Sequence, residues 1–388
     1  MKKILGIIAA AFLLLPVSAE VAVGGSLNQA FAPFGYDGSD YVFAGPASPW
    51  DTMNTTKHLG RFAVSFNAKT ENAGLTGDIY LEKASSNSTA VYIYGDNAYG
   101  WVKPFDFMKI SLGRIKTNWR RVGLPYGAWN NLRPYGIDSS GDDLAFYRPF
   151  CPNFALLLTP IEGLEIVWDF AAEKCTNTKA YNVVWNYARY GISYTIPDVG
   201  VVMAQVYGKD NAFNKDGDST KWGVIGLAFE LKGIENFYLQ VGLQAPTSFA
   251  PLHNAANKME KDSAIKAGLG INLTLEPVII HTFFNGQLVT NDGKAYNEFG
   301  FATGLGLDFV INDAYTIVTD GRYVNKWFNN DSGKEGSDHI IVYAGIEHKL
   351  SNAVFRAGFS GSTNSKIGGS SSESDFTFGI PIEMEIKM

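Results

Sequence analysis

The final stretch of the chain leaves the fewest folds open. From Phe376 the even positions read Phe376, Phe378, Ile380, Ile382, Met384, Ile386 and Met388, and the odd positions Thr377, Gly379, Pro381, Glu383, Glu385 and Lys387. Apolar residues alternate with charged or small ones at period two, as in a strand with one apolar face. Half-buried strands of soluble proteins share this pattern but average about 5–6 residues. A strand that crosses a bilayer needs roughly 9–11, with lipid-facing and lumen-facing side chains alternating. The stretch therefore predicts an all-β chain, a transmembrane antiparallel β-barrel closed by its last strand.

The start of the chain agrees. Lys2 and Lys3 form a basic region, 4–15 an apolar one, and Val17-Ser18-Ala19 a small-residue cleavage site before Glu20. These are the three parts of a secretory signal in order. The apolar run is well short of the roughly 20 residues of a spanning helix, and no other long apolar run follows. No cysteine follows the cleavage site, which argues against a lipid anchor there. A signal over 1–19 and a single barrel domain over 20–388 are expected.

A mean hydropathy of −0.04 is what a barrel produces when outward apolar and inward polar residues average out. The 26 Phe, 19 Tyr and 8 Trp supply what aromatic girdles at the two membrane interfaces need. A net charge of −6 argues against nucleic acid as a partner. The histidines (His58, His253, His281, His339, His348) are scattered, with no HExxH and no CxxC. No metal, cofactor or catalytic site is expected. His281 and His339 are the candidate bases of a barrel enzyme, but neither has a convincing Ser or acid nearby in the predicted layer.

The same alternation recurs along the chain. Phe62, Val64, Phe66 and Ala68 share one face, as do Leu164, Ile166, Trp168 and Phe170. Further on, Ile265, Ala267, Leu269, Ile271, Leu273 and Leu275 oppose Lys266, Gly268, Gly270, Asn272 and Thr274. Residues 35–60 read as loop. Around 106–116, 181–196 and 278–289 the phase changes, as at bulges or where a strand boundary falls elsewhere. Tight turns at 160–163, 197–200, 232–235, 276–277, 312–313 and 351–352 alternate with longer polar loops at 210–220, 246–262, 291–294, 329–338 and 360–374. Short turns on one rim and long loops on the other suit a barrel whose turns are periplasmic and whose loops are extracellular. The count is about 18 strands, or about 16 without the first hairpin. A propeller or β-solenoid is disfavoured, because no fixed-period motif recurs and the strands are long.

With these features the chain resembles the porin-type outer-membrane β-barrels of diderm bacteria. The resemblance covers nearly all of 20–388 and is architectural rather than motif-based. It departs at the terminus: such barrels usually end in an aromatic residue, whereas this chain ends Glu385-Ile386-Lys387-Met388. The departure suggests a divergent, spirochaete-like lineage. Pro381 is a second departure, since proline cannot donate to a ladder, and a bulge near the periplasmic rim is expected there.

The resemblance implies that one long loop folds inward to narrow the pore, and 117–151 is the candidate. Arg114 and Lys116 stand at its entrance, followed by Arg120, Arg121, Arg133 and Arg148. Trp119, Tyr126, Trp129, Tyr135, Phe146, Tyr147 and Phe150 are interleaved, and Asp138, Asp142 and Asp143 add negative charge. Rings of Arg and Lys at a constriction attract anions, and facing acids set a transverse field. An exposed loop in which Arg stacks on aromatics is the alternative. Glu165, Asp169, Asp320, Arg322, Lys326, Glu347 and Lys349 are expected on the lumen wall. Cys151 and Cys175 flank one predicted hairpin with their midpoint at Gly163. A disulfide near the extracellular end is expected, with two free thiols the alternative.

Passive diffusion of small hydrophilic solutes is the function these features favour, with outer-membrane lipid around the barrel. A surface adhesin or antigen that uses the barrel as a scaffold is the second. A homotrimer and a monomer both stay open.

Overall fold

The structure is a computed structural model that describes residues 20–31, 33–36, 41–43, 61–83, 91–95, 97–115, 153–170, 188–209, 222–246, 265–291, 294–326, 338–365 and 374–388. The expected signal over 1–19, the segment 117–151 and both cysteines lie outside the described residues.

The 22 strand segments belong to one antiparallel sheet closed into an 18-strand barrel. The strands are β1 (Glu20–Phe31, continued by Phe34–Tyr36), β2 (Tyr41–Phe43 and Arg61–Lys69), β3 (Ala73–Lys83), β4 (Val91–Tyr94 and Ala98–Phe105) and β5 (Met108–Arg114). Next come β6 (Phe154–Leu158), β7 (Leu164–Phe170), β8 (Ala188–Ile196), β9 (Gly200–Lys209), β10 (Trp222–Ile234) and β11 (Phe237–Pro246). The wall is completed by β12 (Ile265–Leu275), β13 (Val278–Asn291), β14 (Lys294–Val310), β15 (Tyr315–Val324), β16 (His339–Lys349), β17 (Ala353–Ser365) and β18 (Ser374–Gly379 and Ile382–Lys387).

Each strand pairs with its neighbours in sequence, and β18 returns to β1 with Ser26 opposite Lys387 and Phe31 opposite Ile382. Gly25 and Met388 exchange both backbone hydrogen bonds at 2.8 Å. Closure matters because each unsatisfied backbone group in hydrocarbon costs several kcal/mol. No helix among the described residues is long and apolar enough to cross a membrane; the strands do the crossing.

The outer face is apolar in depth-ordered bands. Tyr194, Phe309, Tyr315 and Phe355 lie near the short-turn rim, and Phe284, Phe299 and Phe376 toward the other end. Aliphatic residues such as Leu227, Leu243, Leu305, Ile317 and Val342 are exposed between them. Phe309 and Phe299 are ten residues apart on one strand, roughly 25 Å along the membrane normal for a strand tilted about 40°. That is the height of an outer-membrane apolar band. Three threonines on this face donate their hydroxyls to carbonyls of the adjoining strand at 2.9 Å: Thr282 to Gly304, Thr303 to Phe283 and Thr319 to Leu307. No hydroxyl hydrogen of theirs is left facing lipid, where an unpaired polar group is costly.

Four expectations need correction. Residues 35–60 are not all loop, because Phe34–Tyr36 and Tyr41–Phe43 pair with each other and extend β1 and β2. The connection at 291–294 is not long; β13 and β14 continue their ladder to Asn291 opposite Lys294. Residues 106–116 hold no single phase-shifted strand, since Asp106 and Phe107 form the turn between β4 and β5. Pro381 makes no bulge against β17, whose register runs unbroken from Ser360 opposite Gly379 to Ala357 opposite Ile382. The extra residue falls on β1, where Phe31 faces Ile382 but Gly35 faces Gly379. The Gly358 N–H donates to the Pro381 carbonyl at 3.1 Å, and proline cannot return the bond.

Candidate functional site

Turning every second side chain inward lines the lumen with polar groups. The wall residues expected from the sequence are there: Glu165, Asp169, Asp320, Arg322, Glu347 and Lys349 all sit on the inward face opposite an apolar outward set. Lys326 follows the end of β15, its backbone N–H donating to Asp338 Oδ1 at 2.6 Å. Arg114 ends β5 opposite Ala98 and is exposed. Lys116, Arg120, Arg121, Arg133, Asp142, Asp143 and Arg148 lie outside the described residues.

The inward charges are gathered into compensated groups. Asp169 and Arg189 stand directly opposite each other on β7 and β8 and form an ion pair with both side chains 1% exposed. On the closing strands, Arg356 reaches Glu347 at 2.7 Å, Glu383 at 3.0 Å and Glu385 at 3.6 Å. Lys349 and Lys387 flank that cluster through Glu347 and Glu385. His281 is held by Asn272 Oδ1 at 2.7 Å and Asp308 Oδ2 at 3.1 Å. Tyr238 donates to Glu230 at 2.6 Å, and Lys232 pairs with the same carboxylate at 2.7 Å. Lys109 lies over the Trp101 ring at 4.6 Å. No group of three metal-ligating side chains occurs among the described residues.

Arg189, Arg356 and Glu383 were not singled out from the sequence. Their signal was positional. Arg189 occupies the inward phase of β8 across from Asp169, and Glu383 lies on the charged face of the last strand. Only the register between strands reveals the partners.

The inner wall of β9 to β13 is rich in amides and small residues. The register sets side chains in rows across the strands. One row runs Gln205, Gly226, Gln244 and Lys266. The next runs Met203, Ala228, Gly242, Gly268 and Asn285. A third runs Val201, Glu230, Gln240, Gly270 and Phe283. Phe283 turns inward because the facing position on β14 is Gly304, where a Cβ would stand 2.4 Å from its ring. The guanidinium of Arg322 covers that ring at 5.5 Å.

A closed barrel of eighteen strands with an apolar belt and a polar inner wall defines a porin-type outer-membrane fold. Solved outer-membrane proteins share it. Pseudomonas aeruginosa OprD superposes with a TM-score of 0.54 at 10% identity over 95% of both chains. P. aeruginosa OpdL gives 0.53 at 9% identity, over 95% of this chain and 99% of that one. A loop-deletion form of OmpT, an outer-membrane protein of Vibrio cholerae, gives 0.51 at 12% identity over 96% of this chain and all of that one. No protein-family model and no curated protein sequence matches the chain.

Proposed function

We propose that the protein is a passive channel of the outer membrane for small hydrophilic solutes, narrowed by segment 117–151. The observation that carries this is the continuous polar inner wall of a barrel whose outside is apolar, since barrels of this strand number leave an aqueous channel. Lipid is the outward partner and the solute the inward one. His281 takes no catalytic role in this reading, because its ring nitrogens are engaged by Asn272 and Asp308.

Purified protein in planar bilayers tests the function. Stepwise, ohmic conductance increments are expected, and a correctly folded barrel that never conducts would refute the channel and leave a scaffold for surface-exposed loops.

A further inference from the structure

We propose that the lipid face of β2 to β5 holds one acyl chain of a phospholipid from the short-turn leaflet, in a groove floored by Ala68 and Gly100. The inference goes beyond the channel reading and does not depend on conduction. The groove measures about 490 Å³ and is walled by Leu75, Val102, Ile110 and Leu112. The register makes it. One row across the strands runs Ala68, Leu75, Gly100 and Leu112, and the row nearer the turns runs Ala73, Val102 and Ile110. Leu75 and Leu112 stand two strands apart, roughly 10 Å between backbones, and the strand between them puts forward no side chain. What is left is a slot one hydrocarbon chain wide.

Gly100 keeps the slot open. Glycine weakens a strand interior and often marks the close approach of a ligand. Neither ladder shifts register at Gly100, and its backbone is not left-handed, so the fold itself does not ask for glycine. Among the described residues, a Cβ there would meet only a Leu75 methyl at 3.2 Å and the Gly74 carbonyl oxygen at 3.5 Å. Over Gly77 and Gly286, on the same outer face, the gap is closed by the rings of Phe66 and Phe299. No ring closes the gap over Gly100.

The depth identifies the occupant. Phe105 and Phe107 stack at 5.5 Å on the rim below the groove, exposed as girdle aromatics are. From Phe105 to Gly100 the strand climbs roughly 13 Å at a tilt of about 40°, about half of an apolar band roughly 25 Å tall. The groove therefore runs the depth of one leaflet, on the side where outer-membrane barrels keep their short periplasmic turns. An unfilled gap forfeits van der Waals contacts along its walls, and such contacts drive association inside a bilayer. A second copy of the barrel would present a convex wall, which cannot follow a narrow slot to its floor.

The experiment reconstitutes the full chain in phosphatidylcholine vesicles doped with a phosphatidylcholine that carries a diazirine on one acyl chain. After irradiation, the label is mapped by peptide mass spectrometry. Peptides holding 100–102 and 110–112 are expected to carry several-fold more label than those holding the equally lipid-facing Leu227 and Leu243. Gly100→Leu, which fills the floor, should bring them down to that level. Gly321→Leu, on the lipid face of β15 between the inward Asp320 and Arg322, should leave the excess in place. Heat-modified gel mobility verifies that each variant is a folded barrel. Label spread evenly over the lipid face, an excess unchanged in folded Gly100→Leu, or crosslinked pairs of chains with the groove unlabelled overturns the site. Each of these leaves the channel reading standing, since conductance is measured separately.

Discussion

Replacing Arg356 by Met removes the single cation that three carboxylates share on the closing strands. The guanidinium is 17% exposed and bridges β16, β17 and β18 through Glu347 at 2.7 Å, Glu383 at 3.0 Å and Glu385 at 3.6 Å. Glu383 is the decisive partner, because its side chain is 1% exposed and cannot turn to bulk water. Lys349 and Lys387, with side chains 55% and 74% exposed, touch only the outer members of the cluster. Breaking a buried pair by deleting one partner costs about 3–5 kcal/mol, because the remaining buried charge loses the cation that faces it. That range is the expected loss for Arg356→Met. Urea unfolding of the liposome-inserted barrel, followed by tryptophan fluorescence, measures it. Glu383→Gln in the Arg356→Met background should recover a large part of the loss, a coupling that the double-mutant cycle reads directly. A loss under about 1 kcal/mol, or additive effects of the two substitutions, would falsify the shared-cation account.

Three further outcomes are expected. Leu269→Arg, on the lipid face of β12, should cost about 2–4 kcal/mol in the same urea assay, while Gly268→Ser one residue away, on the lumen face, should cost far less; equal losses would mean the faces are misassigned. Replacing Arg120 and Arg121 by Ala should reduce anion preference in salt-gradient reversal potentials, and an unmoved potential would remove both from the permeation path. Thiol labelling of denatured, unreduced protein should find no free cysteine, whereas two labels per chain would exclude a Cys151–Cys175 bridge.

The alternation in the sequence was enough to place most of the wall. β12 runs Ile265–Leu275 as its pattern indicates, with Leu269 outward and Gly268 and Gly270 inward. The strand that misled is β13. Its residues keep one phase throughout, but Thr282 points to lipid and Phe283 to the lumen, so hydropathy inverts midway. Both exceptions are licensed by β14: the Gly304 carbonyl takes the Thr282 hydroxyl, and the missing Gly304 side chain makes room for the Phe283 ring. Information stored on a partner strand is invisible to a window that slides along one strand. The same limit hid the Arg189 and Arg356 pairings. The short β1 extension escaped because three-residue segments such as Phe34–Tyr36 carry too few alternations to register.

The half-made pair at Gly358 and Pro381 bears on how the wall comes apart. At this level β18 lacks one backbone hydrogen bond toward β17. Toward β1 it meets an extra residue at almost the same height. Both sides of the last strand are therefore loosest at one latitude. Transient opening should begin as a slit there, and amide hydrogens on β1 and β18 around it should exchange with deuterium before those of β12, which is paired without interruption along both edges.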